Sequence, residues 1–260
     1  MTADARARVL TGSPAFRDLG GLPAADNRRI AFGRLFRADA LHSRDVDSHD
    51  VLGELGLRLV CDLRSGEERE FARCLQWLDP SPATLHLELS SNIAEQATPW
   101  LERMVQGTDP AAAHALMLLT YGEMPRAAAT KLGTLFRRLA AGEWPVLIHC
   151  TAGKDRTGLT VASLLWSLGV PPAVVYDDYL RGSGRDPLDL QSPSSRFFAQ
   201  ILRRPLHADE SRIVNGVQRE FLDAALSTIE REWGDVNGYL RGGIGLDDAL
   251  ITALRQQFLE

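Results

Sequence analysis

The sequence PVLIHCTAGKDRTGLTVASLLW, residues 145–166, contains the pattern that decides the fold. Its first five residues are mostly apolar and predict a short buried strand over 145–149. A polar loop with one glycine follows, and an almost wholly apolar run then predicts a central helix over 157–168. A strand that leads through a short loop into a helix is typical of an α/β domain with a parallel sheet.

The chain on either side of residues 145–166 extends this pattern. RLVCDL (58–63) predicts a second buried strand, and IAFGRLF (30–36) predicts a strand or a hairpin arm. Amphipathic patterns and a Pro-Pro start predict further helices at 67–78, 125–141, from 171 onward, 212–233 and 247–258. We therefore expect one α/β domain over 1–260, in which helices flank a mostly parallel central sheet and dominate the C-terminal part.

Residues 92–124 depart from this alternation. One helical face is shared by four apolar residues, Trp100, Leu101, Met104 and Val105. The sequence GTDP (107–110) then breaks the chain, and a second apolar helix is predicted over 111–121. These two short helices are either part of the core or an inserted flap, and the residues by themselves favour the core slightly.

The composition excludes several classes of protein. The 260 residues are 45% apolar and 24% charged, which is a globular composition and neither disordered nor collagen-like. No apolar stretch is long enough to cross a bilayer, and the N-terminus has no apolar segment typical of a secretory signal. Three cysteines, Cys61, Cys74 and Cys150, are too few and too scattered for a disulfide framework or a zinc site. We expect a cytoplasmic protein, and the net charge of −5 argues against a nucleic-acid partner.

Residues 149–157 carry the strongest chemical signal in the chain. They fit the pattern H-C-x-x-G-x-x-R-[S/T], whose five fixed positions match by chance on the order of 10⁻⁴ in a chain of this length. A loop that winds onto a helix N-terminus directs several backbone N–H groups at one point, which can bind the oxygens of a phosphoryl group. The same positive field favours the thiolate of Cys150, which we expect to be ionised at neutral pH and to attack phosphorus in line.

The other positions of the loop suit the same chemistry. Gly153 allows a sharp backbone bend, and Arg156 offers a planar fork for two phosphate oxygens. Thr157 can donate a hydrogen bond to the sulfur when it leaves as a thiolate, and His149 is expected to order the loop rather than to move protons. The phosphate-binding residues are therefore expected to be Thr151, Ala152, Gly153, Lys154, Asp155, Arg156 and Thr157.

A general acid must protonate the leaving oxygen, and a base must activate the water that hydrolyses a cysteinyl phosphate. Asp62 is one candidate, because the carboxyl ends of strands 58–63 and 145–149 open on the same crevice if the strands are parallel. Asp155 is the other, since it lies in the loop beside Arg156. Each also has a structural reading, Asp62 as a strand-end residue and Asp155 as a carboxylate favoured at a helix start. Both candidates stay open.

Several further residues have less specific interpretations. Lys154 either attracts a second phosphate of a very acidic substrate or is a solvated loop lysine. Arg64 is a candidate for the same crevice as its neighbour Asp62. Structural roles are expected for the rest: ion pairs for Arg17, Asp18 and Arg37, a core strand for Cys61 and a helix for Cys74.

HCTAGKDRTG (149–158) resembles the phosphate loop of the bacterial tyrosine phosphatases of the PtpB type, which belong to the cysteine-dependent phosphatases and act on phosphotyrosine and phosphoinositides. The likeness continues in order through FRDLGG (16–21), GRLFRADAL (33–41), LVCDLRSGEERE (59–70), DDYLRGS (177–183) and NGYLRGGIGLDDALITALR (237–255). The chain departs from the family pattern at Ala15, where the family usually has Asn, and this departure affects a hydrogen bond rather than the chemistry.

The resemblance implies a phosphatase α/β fold with a two-helix lid over the active site, which would make residues 92–124 a mobile flap. By the match, Cys150 is the nucleophile and Arg156 is the phosphate clamp. Lys154 and Asp155 correspond to the loop pair of the family, and Asp62 falls on the aspartate of its DLR motif.

The leading hypothesis is a phosphomonoester hydrolase that works through a phosphocysteine intermediate, without a metal or another cofactor. Its substrate is a phosphotyrosine protein or a phosphoinositide by the resemblance, or a small metabolite such as a nucleoside or sugar phosphate by the loop alone. An inactive phosphate-binding module is disfavoured because Cys150 and Arg156 are both present. A sulfur-transfer or arsenate-reducing enzyme is disfavoured by His149 and Thr157.

Overall fold

The computed structural model describes residues 13, 15–41, 52–71, 81–90, 94–182 and 184–260. These residues form a five-stranded sheet, with strands β1 (Arg17–Asp18), β2 (Leu35–Ala38), β3 (Leu59–Asp62), β4 (Ala83–His86) and β5 (Val146–His149). The strand order is β1-β2-β5-β3-β4, in which β2, β5, β3 and β4 are parallel and β1 is antiparallel to β2. The predicted α/β fold with a mostly parallel sheet is confirmed.

The apolar sequence of β5 places it in the middle of the sheet. Leu147 packs into a small apolar cluster on one face, while the residues on either side of it belong to the main core on the other face. A strand that is covered on both faces needs apolar residues at successive positions, as this one has. The register sets His149 beside Ala38 of β2 and Asp62 of β3, so the carboxyl ends of three strands meet at one edge.

Helices cover the sheet and form the C-terminal layer. Their bounds are α1 (Gly66–Phe71), α2 (Ala94–Gln106), α3 (Pro110–Ala140), α4 (Asp155–Ser167), α5 (Pro172–Leu180), α6 (Pro193–Leu202), α7 (Ala208–Asn215), α8 (Arg219–Trp233) and α9 (Asp248–Phe258), with helical turns at Ala25–Asn27, Val236–Gly238 and Tyr239–Gly243. The predicted central helix is α4, which follows β5 and is buried along most of its length. In the described part of the chain, no helix has both the length and the apolar character needed to span a membrane.

The structure corrects the predicted helix break at Pro125. The sequence predicts separate helices over 111–121 and 125–141, whereas α3 is continuous from Pro110 to Ala140. A proline removes one backbone hydrogen bond from a helix interior. The buried face of α3 nevertheless continues through Tyr121, Pro125 and Ala128. Contact of this helix with α8 compensates for the lost bond, a tertiary effect that local sequence does not reveal.

The prediction of one continuous helix over 212–233 is also wrong. The segment forms two helices, since α7 ends at Asn215 and α8 begins at Arg219. Gly216 leaves the helix with an extended backbone (ψ 176°), and glycine is a poor helix former.

The predicted strands and the first helix differ from the structure mainly at their ends. Of residues 30–36 only the last two join β2, because Gly33 turns the chain with a φ of +73° before the strand. The mostly exposed edge strand β4 has no apolar run and was not predicted. The helix predicted over 67–78 begins at Gly66 and is described to Phe71, while residues 72–80, including Cys74, lie outside the described residues.

The segment predicted as core or lid contains α2 and the first part of α3. The side chains of α2 pack with α3, α6 and α7 in an apolar cluster of their own, formed by Ala97, Met104, Ala112, Ala113, Leu116, Leu202, Leu206 and Val214. Tyr121, farther along α3, belongs to the main core instead. The lid role of residues 92–124 stays a prediction.

Candidate active site

The loop between β5 and α4 is held at both ends by neighbouring backbone. The Leu63 N–H donates to the His149 carbonyl at 2.9 Å, and the Ala40 N–H donates to the Thr151 carbonyl at 3.1 Å. The N–H groups of residues 151–154 have no acceptor within the part of the chain that the structure describes. Unpaired N–H groups beside a helix N-terminus provide a positive site for an anion.

Gly153 lies close against β2. It has a φ of +69°, and a Cβ there would lie 2.6 Å from the Ala38 carbonyl oxygen. Its own carbonyl accepts a hydrogen bond from Arg37 Nη2 at 2.8 Å. Buried Arg37 and partly buried Arg17 form ion pairs with Asp178 of α5, at 2.5 and 2.8 Å. This network holds the loop against the sheet and confirms that both arginines are in ion pairs.

Arg156, in the first turn of α4, is held by Glu68 of α1. Its Nη1 donates to Glu68 Oε2 at 2.6 Å, and its Nη2 donates to Oε1 at 2.7 Å. Burial by itself raises the pKa of Glu68, but the hydrogen bonds from Arg156 outweigh it and bring the pKa down to about 2. Burial likewise disfavours the charged guanidinium, yet Glu68 and the nearby Cys150 sulfur raise the pKa of Arg156 on balance. The pair is therefore fully ionised at neutral pH.

The pairing with Glu68 leaves one edge of the Arg156 guanidinium open. A guanidinium carries five N–H donors in a rigid fork. Nη1 donates to Glu68 and also lies 3.4 Å from the Leu63 carbonyl oxygen. Within the described residues, Nε–H and the second N–H of Nη2 donate to no protein atom. That edge has the geometry for two oxygens of one phosphoryl group.

Glu68 is a site residue that the sequence analysis missed. It stands at the start of α1 in a capping box: its N–H donates to Ser65 Oγ at 3.2 Å, and the Ser65 N–H donates to its Oε2 at 2.8 Å. The Thr151 hydroxyl also donates to Glu68. The signal that could have identified it is S-x-x-E directly after a buried strand, which predicts a carboxylate at that strand's end.

Cys150 directly follows β5 and is 2% exposed. Its neighbour His149 is also buried, and burial lowers the pKa of that ring more strongly than Asp62 raises it. His149 Nδ1 lies 3.2 Å from the Cys150 carbonyl oxygen, which agrees with a role in ordering the loop. The buried hydroxyl of Thr157 has no hydrogen-bond partner within the described residues, so its O–H is free to donate to sulfur.

Asp62, the first acid candidate, is enclosed by Arg64. Its Oδ1 accepts from Arg64 N–H at 3.0 Å and from Arg64 Nε at 2.9 Å, and its Oδ2 accepts from Arg64 Nη2 at 2.8 Å. His149 Nε2 lies 3.9 Å from Oδ1. Burial by itself raises the pKa of Asp62, but the bonds from Arg64 and the charge of His149 lower it overall. Both oxygens of this carboxylate are therefore occupied by a buried cation.

Asp155, the second acid candidate, is held at one oxygen. The Tyr121 hydroxyl donates to Asp155 Oδ1 at 2.5 Å, and Lys154 Nζ donates to the same atom at 2.6 Å. Within the described residues no donor contacts Oδ2. The Asp155 side chain is 23% exposed, whereas that of Lys154 is 2% exposed. The reading of Lys154 as a solvated loop lysine is therefore wrong.

Comparison with known proteins identifies the family to which this chain belongs. Residues 9–260 match the sequence model described as the tyrosine phosphatase family. The chain belongs to that family. It is 33% identical over 253 residues to a Cupriavidus necator protein provisionally named a tyrosine-protein phosphatase, with 94% of this chain and 85% of that protein covered.

Two other relatives of this phosphatase support the same assignment. The triple specificity protein phosphatase PtpB of Mycobacterium tuberculosis is 32% identical over 278 residues, with 95% of this chain and 97% of that protein covered. A tyrosine-protein phosphatase of Nostoc commune is 27% identical over 263 residues, with 98% and 83% covered. The expected PtpB-type family is confirmed, and the protein is a phosphoric monoester hydrolase of the protein-tyrosine-phosphatase type.

The remaining candidates, Cys61 and Asp18, have structural surroundings in the phosphatase fold. Cys61 is fully buried in β3, as predicted for a core strand, and burial raises the pKa of its thiol. Asp18 accepts backbone hydrogen bonds from Gly20 and Gly33, both at 2.8 Å. Across the described residues, no cluster of three or more His, Cys, Asp or Glu side chains is arranged to hold a metal ion.

Proposed function

We propose that this phosphatase hydrolyses phosphomonoesters through a phosphocysteine formed on Cys150, with Arg156 as the phosphate clamp and Asp155 as the general acid. The observation that carries the proposal is that the N–H groups of residues 151–154 and one edge of the Arg156 guanidinium have no acceptor within the described residues. Together they offer donors for all three non-bridging oxygens of a phosphoryl group.

The proposed reaction has two steps that balance. First, the Cys150 thiolate attacks phosphorus, the P–O bond to the leaving group breaks, and the leaving oxygen takes a proton from Asp155. Second, a water molecule attacks phosphorus and gives its proton to the Asp155 carboxylate, the P–S bond breaks, and inorganic phosphate leaves. The Thr157 hydroxyl stabilises the departing thiolate, since it has no other hydrogen-bond partner among the described residues.

The choice of Asp155 over Asp62 rests on their hydrogen bonds. A general acid must release and regain a proton at an accessible oxygen. Asp155 Oδ2 meets this requirement because, within the described residues, Tyr121 and Lys154 both donate to Oδ1 and no donor contacts Oδ2. Protonation of Asp62 would remove the negative charge that its oxygens present to the buried guanidinium of Arg64.

For the substrate, we propose phosphotyrosine in proteins first and phosphoinositides second. The relatives named as tyrosine-protein phosphatases and the triple specificity relative support this order. The charge of Lys154 is directed at Asp155, which weakens the case for a second phosphate contact. The cytoplasmic location stays a prediction from the sequence.

A panel of phosphate esters assayed with EDTA present tests the proposal. We expect turnover of a phosphotyrosine peptide and of p-nitrophenyl phosphate, inhibition by vanadate, and a phosphorylated Cys150 trapped by rapid acid quench. The Cys150→Ser variant should lose turnover at least ~10⁴-fold while it still binds vanadate. A nucleotide or sugar phosphate turned over with a far higher kcat/KM than any phosphopeptide would overturn the substrate proposal, and near wild-type activity of Cys150→Ser would overturn the mechanism.

A further inference from the structure

Tyr121 is a buried residue of α3 that contacts the segment between β5 and α4, and the sequence pattern does not predict this contact. Its ring is stacked on Phe221 of α8, with centroids 5.4 Å apart, and meets the edge of Tyr179 of α5 at 6.1 Å. Tyr121 itself is 0% exposed. Three helices thereby fix the ring and the direction of its hydroxyl.

The hydroxyl of Tyr121 is directed at the proposed acid. It donates to Asp155 Oδ1 at 2.5 Å, the atom that also accepts from Lys154 Nζ at 2.6 Å. Burial, and then the charge of Asp155, raise the pKa of Tyr121 well above its usual value, so the hydroxyl keeps its proton and acts as a donor. Oδ1 can accept both hydrogen bonds whether the carboxyl group is charged or neutral.

We propose that Tyr121 is a positioning residue that, with Lys154, holds Asp155 Oδ1 and so assigns the catalytic proton to Oδ2. This inference rests on the proposed role of Asp155 as general acid. If Oδ1 always accepts from two fixed donors, the transferable proton resides on Oδ2, which is the oxygen without a donor in the described part of the chain. The side chain cannot rotate to exchange its oxygens without breaking both bonds.

The leaving-group dependence of kcat/KM tests this role. This constant reports the steps up to cleavage of the P–O bond, in which an acid matters most when the leaving oxygen is a poor leaving group. Tyr121→Phe keeps the ring between Phe221 and Tyr179 and removes only the hydroxyl. We expect kcat/KM for phenyl phosphate to fall about tenfold, the effect of one well-placed hydrogen bond. The kcat/KM for p-nitrophenyl phosphate and the inhibition constant of vanadate should stay close to those of the wild type.

A matched control is available in Tyr176, whose hydroxyl donates to Asp223 outside the loop. Tyr176→Phe removes the same kind of tyrosine–carboxylate bond and should leave the ratio of the two kcat/KM values unchanged. The double variant Tyr121→Phe with Asp155→Asn should show no greater loss for phenyl phosphate than Asp155→Asn alone, because Tyr121 acts through Asp155.

The outcomes separate this inference from the function on which it rests. If Asp155→Asn lowers kcat/KM equally for both esters, the proposed acid is wrong. If Asp155→Asn is selective for phenyl phosphate but Tyr121→Phe is not, Tyr121 has a structural role only. Should Tyr121→Phe fail to fold, 3-fluorotyrosine in place of Tyr121 keeps the ring and hydroxyl but changes the donor strength. An unchanged ratio of the two kcat/KM values in that protein overturns the inference.

Discussion

Asp62 and Asp155 lie at or after the carboxyl ends of neighbouring parallel strands, but their carboxylates have different hydrogen-bond partners. Asp62 ends β3, and Asp155 begins the helix that follows the neighbouring parallel strand β5. Asp62 is bound at both oxygens by Arg64, whereas Asp155 is bound at one. A carboxylate with both oxygens on a buried cation contributes structure, while one with a free oxygen can exchange a proton.

Arg64 and Arg156 differ from each other in the same way as the two aspartates. Arg64 directs its donors at Asp62, which belongs to the same turn. Arg156 is fixed by a carboxylate of another helix, Glu68, and keeps an open edge. The turn after β3 therefore supports the loop after β5, and substitutions in the turn and in the loop should have different effects on catalysis.

After loss of the Cys150 nucleophile, the largest effect is expected from replacing the open guanidinium of Arg156. Arg156→Lys removes the bidentate fork, and kcat/KM should fall about 10²–10³-fold because lysine cannot match two phosphate oxygens at once. Arg64→Lys should change kcat/KM far less, since the bonds of Arg64 to Asp62 lie in the turn after β3 and not in the loop after β5. Steady-state kinetics of both variants with p-nitrophenyl phosphate make the comparison. Equal losses would show that Arg156 has no special role at the phosphoryl group.

The two aspartates should give the next largest effect and opposite phenotypes. Asp155→Asn should lower kcat/KM for phenyl phosphate about 100-fold, because a general acid supplies a factor of that size, and should affect kcat/KM for p-nitrophenyl phosphate less. Asp62→Asn removes the negative charge that accepts three hydrogen bonds from buried Arg64, so the free energy of unfolding should fall by about 3 kcal/mol. Its ratio of kcat/KM values for the two esters should match the wild type.

Kinetics and chemical unfolding of both proteins measure this contrast. If Asp62→Asn is the variant that is selective for the poor leaving group, the assignment of the acid is reversed. The unfolding measurement then shows whether Arg64 tolerates the loss of its partner.

The sequence predicts the loop well and its partners poorly, for a physical reason. Cys150, Gly153 and Arg156 could be predicted because a strand, a tight turn and a helix start are all local features. The choice between Asp62 and Asp155 could not, since it depends on a hydrogen bond from Tyr121, which is 34 residues away in the chain. The same holds for the fold: the apolar run of β5 predicts a central strand, whereas the continuity of α3 through a proline depends on contact with α8.

The smallest effect is expected at Glu68, whose carboxylate sets the direction of Arg156 without touching the substrate. Glu68→Gln should lower kcat/KM about tenfold, because one charge-assisted contact to the guanidinium is lost while an acceptor remains. Glu143→Gln is the matched control, since Glu143 forms a similar two-point pair with Arg138 away from the loop. That variant should keep the wild-type kcat/KM.

The pH dependence of stability gives Glu68 an independent test. Its pKa is about 2 in the folded protein against an ordinary value of 4.5, so its ionised form stabilises the fold. This contribution is complete above the unfolded pKa and is lost as the pH falls through the folded one. The Tm difference between wild type and Glu68→Gln should therefore be largest at neutral pH and shrink as the pH falls from 4.5 toward 2. A difference that is constant over this range, or that grows in acid, would mean that Glu68 is not the ionised partner of Arg156, and the guanidinium would then need another residue to hold its open edge toward the loop.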